Sequence, residues 1–328
     1  MEKLVEVTEL RKIFGQSKSF LNRMGKSRHV EAVAGASFDI GTNEIVSVVG
    51  ESGSGKTTLG RLMVRLLEPT SGEVRFHGKN IFDMSKTEMI SFRRNVQMIL
   101  QDPYDSLNPL FSVFASVSKP LNIFEKNLSR KDKEEMVAEH LESMGLKPAG
   151  QFMHKLPSEL SGGQRQRVSI ARAMILKPQF IVADEPVSML DVSLRAEMLN
   201  RMKKLSRDGG TSFLFITHDI SSAKFMGDRM LIFYRGRIVE QGKTADVIGK
   251  PKHPYTMLLV DSVPVPDPER ASSFLTLDDA GGGAEESYSA SGCRFASRCR
   301  FVMDRCRVAE PPMYDTGDGH GASCFLYE

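Results

Sequence analysis

The run EIVSVVGESGSGKTTLG, residues 44–60, decides the fold. Its first half is a continuous apolar stretch ending in glycine, the pattern of a strand buried on both faces. Its second half fits G-x-x-x-x-G-K-[ST] from Gly50 to Thr57. Glycines there let successive backbone N–H groups converge on phosphate oxygens. The helix that follows adds its positive N-terminus, Lys56 reaches the outer phosphates, and Thr57 offers a hydroxyl to Mg²⁺. Beyond Lys56, the residues Leu59, Leu62, Met63, Leu66 and Leu67 recur at helical spacing, and Pro69 and Gly72 stop the pattern. Strand, glycine loop and amphipathic helix in that order separate a phosphate-binding loop from an ordinary glycine-rich turn.

Upstream, LVEV and VAGASFDI read as short strands around a basic, loop-like stretch with Lys18, Arg23, Lys26 and Arg28. Downstream, residues 92–178 alternate helical segments with loops, including the charged amphipathic helix KDKEEMVAEHLESMG. FIVAD (180–184) and TSFLFIT (211–217) are again buried strands with a helix between them. This succession requires parallel pairing, hence an α/β fold. MLIFYRGRIVEQG (230–242) is a hairpin turning at Arg235–Gly236. From Pro251 the character changes: prolines cluster, DDAGGGAEESYSASG reads as a linker, and a domain boundary is expected near residue 250.

The chain has 328 residues, 26% of them charged, with a net charge of only +3. That balance gives no global attraction to nucleic acid. No apolar run of 18 residues is present, so no membrane-spanning helix is expected. MEKLVEVTEL lacks the apolar core of a secretory signal. A cytosolic setting is expected, where thiols stay reduced and clustered cysteines favour metals over disulfides.

Two further runs carry chemistry. ADEP (183–186) ends a strand in two carboxylates that point to different places, so Asp184 suits Mg²⁺ and Glu185 suits an attacking water. In LSGGQRQRVSIARAMIL (160–176), Ser161 and Gln164 have the spacing of a capping box, so Ser161 starts a helix. This is a second anion-attracting helix start, and one nucleotide in one fold has no need of two. It therefore suits a nucleotide held by a neighbouring subunit.

Together GESGSGKT, Gln101, LSGGQ, ADEP, SMLD (188–191) and His218, in that order, resemble the ATP-binding subunits of ABC transporters. QDPYDSLNP (101–109), KHPYT (252–256) and the terminal cysteines resemble the oligopeptide/dipeptide branch. The resemblance implies a P-loop nucleotide-binding domain over residues 1–250. It would have a mixed sheet core, an antiparallel β subdomain, a helical subdomain at about 92–178, and a cysteine-rich extension over 251–328. It implies an ATP site made of Phe14 on adenine, Ser52, Gly53, Ser54, Gly55, Lys56, Thr57 and Thr58 on the phosphates, and Gln101 and Asp184. Mg²⁺ falls to Thr57, Gln101 and Asp184. Hydrolysis falls to Glu185, His218, Lys56 and Gln101, and Ser161, Gly162, Gly163 and Gln164 close on a partner's ATP. Asp191 lies at that seam, where SMLD replaces the commoner SALD. The implied partners are a related but different ATPase chain, two transmembrane permease subunits and an extracytoplasmic solute-binding protein. The implied place is the cytoplasmic membrane face.

Cys293, Cys299, Cys306 and Cys324 are spaced C-x5-C-x6-C-x17-C, not as the paired C-x2-C of a zinc ribbon. Four thiolates suit a [4Fe–4S] cluster as well as Zn²⁺. Arg294, Arg298, Arg300, Arg305 and Arg307 would offset their charge. The resemblance favours the iron–sulfur cluster. The competing reading of the whole chain is a soluble ABC-type ATPase serving an enzyme complex, such as the phosphonate carbon–phosphorus lyase, which needs no cysteine tail.

Overall fold

A computed structural model describes residues 2–15, 29–262 and 292–328. Among the described residues twelve strands form two sheets. In chain order they are β1 (Lys3–Phe14), β2 (Val30–Gly41), β3 (Ile45–Val49), β4 (Ser71–Phe76), β5 (Lys79–Asn80) and β6 (Val96–Ile99). The remaining six are β7 (Phe180–Asp184), β8 (Ser212–Thr217), β9 (Arg229–Tyr234), β10 (Arg237–Lys243), β11 (Tyr314–Asp315) and β12 (Gly321–Ala322). The smaller sheet, ordered β2-β1-β4-β5, is antiparallel throughout. The larger is ordered β11-β12-β10-β9-β3-β8-β7-β6. Its β9-β3-β8-β7-β6 portion is parallel, and the other three strands join antiparallel.

Every residue of β3, β7 and β8 is buried. Strands covered on both faces need apolar side chains on both faces, so their sequences do not alternate. The helix Lys56–Met63 sits between the two sheets, and its Leu59 and Leu62 are fully enclosed with Val46, Val48, Val182 and Ile216. A second core joins the main sheet to helices Val113–Phe124, Arg130–Ser143 and Gly162–Met174 through Val117, Leu121, Val137, Leu141, Val168 and Ile170. A third, around Tyr234, Tyr255 and Phe295, lies beyond β9 and β10.

Two local expectations are corrected. The helix after Lys56 stops at Met63 instead of running to Leu67. Arg65 adopts φ 53° and its guanidinium donates to the Ile81 carbonyl at 2.8 Å, which turns the chain toward β4 and leaves Leu66 exposed. A tertiary hydrogen bond thus overrides the helical period. The strand before the basic stretch also continues to Phe14, paired with Val30 of β2. Lys18, Arg23, Lys26 and Arg28, and the glycine-rich linker, lie outside the described residues.

The described residues after 250 pack onto the main sheet. β12 pairs with β10. Glu240 of β10, wholly buried, accepts from the backbone N–H groups of Lys252 (2.9 Å) and His253 (2.7 Å) and meets His320 Nε2 at 2.7 Å. Three backbone or imidazole partners answer the charge that burial would otherwise make costly.

Candidate functional site

The glycine loop leaves the buried end of β3 and enters the helix Lys56–Met63. Its glycines answer steric needs at two positions. A Cβ on Gly50 would lie 2.0 Å from the Phe233 carbonyl oxygen, and one on Gly55 (φ 105°) 1.9 Å from that of Ala32. Ser52 and Gly53 are exposed at the crest, and Thr58 is partly covered on the helix's first turn. Lys56 is 5% exposed and curls back over the loop, donating to Gly50 O (2.7 Å), Glu51 O (2.8 Å) and Ser54 Oγ (3.3 Å). Burial pushes its pKa down against the pull of Glu185, Asp184 and Glu51.

Asp184 ends β7, next to β8 in the sheet. It is 2% exposed, burial pushes its pKa up, and the Thr57 hydroxyl hydrogen-bonds to it. Its Oδ1 has no hydrogen-bond partner. An orphaned, buried carboxylate oxygen beside the Thr57 hydroxyl fits Mg²⁺, which takes few protein ligands and keeps several waters.

Glu185 follows at φ 46°, a left-handed conformation uncommon outside glycine. Its N–H bonds to Ile216 O at 2.9 Å, which fixes the turn away from the strand. The side chain is only 10% exposed, with Oε1 2.9 Å from His218 Nδ1 and Oε2 3.5 Å from Gln101 Nε2. Gln101 and His218 approach from the segments after β6 and β8. The structure thus brings Lys56, Thr57, Asp184, Glu185, His218 and Gln101 into one neighbourhood at the ends of parallel strands, where open α/β sheets bind ligands.

Ser161 caps the helix Gly162–Met174. Its Oγ accepts from Gln164 N–H at 3.3 Å, and Gln164 Oε1 accepts from Ser161 N–H at 3.0 Å, with Gly162 and Gly163 in the first turn. Among the described residues no hydrogen bond or ion pair joins Ser161–Gln164 to residues 50–58. Within one chain the two anion-attracting helix starts are therefore separate. Asp191 caps the helix Val192–Gly209, accepting from Leu194 N–H at 2.9 Å and from the Ser193 hydroxyl at 2.8 Å. These bonds hold its carboxyl below the usual range. Phe14 ends β1, 41% exposed, with Lys12 Nζ 5.4 Å from its ring centroid.

The cysteine tail departs from expectation. All four thiols are free. Neighbouring thiols lie close enough to raise Cys293, Cys299 and Cys324, and each of these three receives a backbone N–H from the residue two positions on. Burial, the larger effect, pushes Cys293 up to about 11 and raises Cys299 and Cys324. Yet among the described residues no three Cys, His, Asp or Glu side chains are grouped so as to hold a metal ion. The expected four-cysteine metal centre is not assembled: the donors are chemically apt but do not converge. The neighbouring arginines also do something other than neutralise sulfur. Arg294 pairs with Glu31 (2.6 Å) and Glu310 (3.2 Å), Arg305 with Glu328, and Arg298 with Glu51 of the glycine loop (3.0 Å). Sequence reasoning gave Arg298 only the task of offsetting thiolate charge, and gave Glu51 and Tyr255 no role of their own. Glu51 N–H donates to Tyr255 Oη at 3.0 Å, a contact between positions 204 residues apart that no local pattern announces.

Residues 33–188 match the ABC transporter family, and residues 239–306 match the oligopeptide/dipeptide transporter C-terminal region. The chain is 41% identical to YkfD of Bacillus subtilis (strain 168) over 99% of its own length and 95% of that protein. It is 37% identical to the oligopeptide transport ATP-binding protein OppF of Haemophilus influenzae, covering 98% of this chain and 97% of that one. Among solved structures it resembles the dimeric post-hydrolysis state of the ATP-binding cassette MJ0796 bound to ADP and Pi. The TM-score is 0.65 at 30% identity, over 73% of this chain and 98% of that one. With its glycine loop, paired carboxylates and second helix start, and with relatives 37–41% identical over nearly the whole chain, the chain belongs to the ABC transporter family as one of its ATP-binding, ATP-hydrolysing chains.

Proposed function

We propose that this chain drives uptake of oligopeptides, dipeptides or a related small solute by hydrolysing ATP on the cytoplasmic membrane face. The carrying observation is the Glu185–His218 pair at 2.9 Å beside the orphaned Asp184 Oδ1. Relatives such as the oligopeptide transport ATP-binding protein OppF support the substrate class. In this reading residues 52–58 cradle the phosphates and Phe14 stacks on adenine. Lys56 leaves the loop carbonyls for the outer phosphates. Thr57, Asp184 and Gln101 hold Mg²⁺, which neutralises charge on the β and γ oxygens. Glu185 orients the attacking water and accepts its hydrogen bond, while His218 holds Glu185 and the γ-phosphate side in register.

Ser161, Gly162, Gly163 and Gln164 complete the site of a second ATP-binding subunit, a related but different chain, with Asp191 at the seam. Two permease subunits and an external solute-binding protein complete the transporter. A groove of about 1000 Å³ supports the permease contact. It is lined in part by the exposed Leu66, Ile90 and Ile123 together with Arg93, Lys119 and Lys126. Among the described residues no helix is long and apolar enough to cross a membrane, so separate subunits supply the pathway. The nucleotide-binding unit spans 1–250 and the extension 251–328. In the extension the thiols of Cys293, Cys299, Cys306 and Cys324 would take a [4Fe–4S] cluster, with Zn²⁺ as the alternative, only by drawing together from where they stand. What supports this is the donor chemistry of four free thiols in one short tail and the backbone N–H groups aimed at three of the sulfurs. Its role is to tie the tail together, and iron and sulfide analysis of anaerobically purified protein tests it.

The mechanism is tested by Glu185→Gln. ATP turnover should fall by at least about 100-fold, while ATP binding and ATP-dependent association through Ser161 persist. Unchanged turnover refutes the assignment.

A further inference from the structure

The outer corner of the phosphate loop is held by the C-terminal extension. Glu51, second residue of the loop, has its backbone N–H on Tyr255 Oη (3.0 Å) and its carboxylate on both Nη atoms of Arg298 (3.0 and 3.1 Å). Arg298 ends a short 3₁₀ turn, Ala296–Arg298, bracketed by Cys293 and Cys299. The turn is anchored by Phe295, 1% exposed, whose ring meets Tyr234 at 5.4 Å and Tyr255 at 5.6 Å. The guanidinium lies over both Tyr234 and Phe295 and reaches Tyr234 Oη at 3.4 Å. Its side chain is 20% exposed and that of Glu51 36%.

A two-pronged Arg–carboxylate contact on an aromatic shelf fixes direction as well as charge. Direction matters here. Glu51 is an anion in a loop whose task is to receive polyanions, and its charge already reaches Lys56. Left unpaired, it would repel the incoming phosphates and compete for the lysine. Paired, it is neutralised and turned toward the tail, and its backbone, which supplies a carbonyl to Lys56 at 2.8 Å, is pinned.

We propose that Arg298 is a positioning residue for nucleotide binding: the extension acts through the Arg298–Glu51 pair to set the geometry and charge of the phosphate loop. This rests on the reading of residues 50–57 as the ATP site.

The test uses the full-length chain, measuring binding of a fluorescent ATP analogue and steady-state Mg-ATPase. In Arg298→Ala the Kd and the ATP KM should rise about tenfold, with kcat falling less than about threefold, as expected when a charged, bidentate contact acts on binding and not on chemistry. Arg298→Lys, which keeps the charge but loses the fork, should fall between. Adding Glu51→Gln to Arg298→Ala removes the stranded carboxylate and should bring the affinity back to within about threefold of wild type. A fold defect in the tail would not be rescued from the loop side, so this double variant separates positioning from mere structure. Affinity in Arg298→Ala within twofold of wild type, or a double variant as weak as the single, overturns the proposal. Lys56→Ala should abolish binding. If it does so while Arg298→Ala binds normally, only this inference fails. If Lys56→Ala binds normally, the ATP-site assignment fails and this inference falls with it.

Discussion

Asp184 is 2% exposed and one of its oxygens has no partner, so in the absence of metal it carries an anion that burial disfavours. Asp184→Asn keeps the shape and an acceptor for the Thr57 hydroxyl while removing that charge. The variant should melt at higher temperature than wild type in EDTA, by about 1 kcal/mol of stability, and lose Mg-dependent ATPase. Calorimetry with and without Mg²⁺ checks both halves, and a variant less stable in EDTA contradicts the account. Gly55 is the opposite case, a residue serving the fold first. At φ 105°, with the Ala32 carbonyl where a Cβ would go, Gly55→Ala should cost about 3 kcal/mol or more, read by urea denaturation. Both residues were legible in the sequence, because G-x-x-x-x-G-K-[ST] and a strand-terminal carboxylate are local patterns with mechanical meaning. The strained φ 46° at Glu185 was not. It follows from the bond to Ile216 O across the sheet, which sequence order does not announce.

Single elements in this chain serve two ends at once. The helix Gly162–Met174 begins with a closed capping box, readable from Ser161 and Gln164 alone. If that box only capped, Ser161→Ala would cost about 1 kcal/mol of stability and nothing more. If its N-terminus also closes on a neighbouring subunit's nucleotide, ATP-dependent association should be lost well beyond that cost. Size-exclusion chromatography with Mg-ATP and a turnover-deficient background separates the two. The helix Pro254–Asp261 is capped by His253, whose Nδ1 accepts from Tyr255 N–H at 3.1 Å. Burial pushes this imidazole from 6.5 down to about 3. The folded state keeps it neutral, whereas the unfolded chain protonates it below pH 6.5. Its contribution is therefore neutral above that pH, and stability is lost as pH falls from 6.5 toward 3, at up to about 1.4 kcal/mol per unit. His253→Asn, which can still cap, should flatten that part of the stability–pH curve. Within the elements, the sequence misled at their ends. The helix from Lys56 has an apolar period out to Leu67, but the Arg65–Ile81 contact ends it early.

At the scale of the molecule the composition change at residue 250 suggested an appendage, and the packing gives that appendage a different standing. β12 extends the main sheet, Arg294 and Arg298 pair with Glu31 and Glu51, and Phe295 enters a core shared with Val49, Ile232, Tyr234 and Tyr255. None of this was readable from sequence, since each contact joins positions separated by many residues and depends on which faces meet. It makes a prediction that a loosely tethered tail would not. Phe295 is 1% exposed and packs edge-on to Tyr234 at 5.4 Å, with Tyr255 and His253 rings at 5.6 and 5.7 Å. Removing the ring leaves a cavity between rigid aromatics that cannot readily collapse. Phe295→Ala should therefore cost about 3–5 kcal/mol, the range for a buried phenylalanine. Because that cavity opens against β9, the strand paired with β3 beneath the phosphate loop, the loss should appear in one cooperative transition that includes the nucleotide-binding core. Denaturant unfolding followed by circular dichroism and by release of a bound fluorescent nucleotide should give coincident midpoints, both shifted. Two separated transitions, with the nucleotide-linked one unmoved, would mean that the tail is a passenger and that its aromatic block carries no load for the fold.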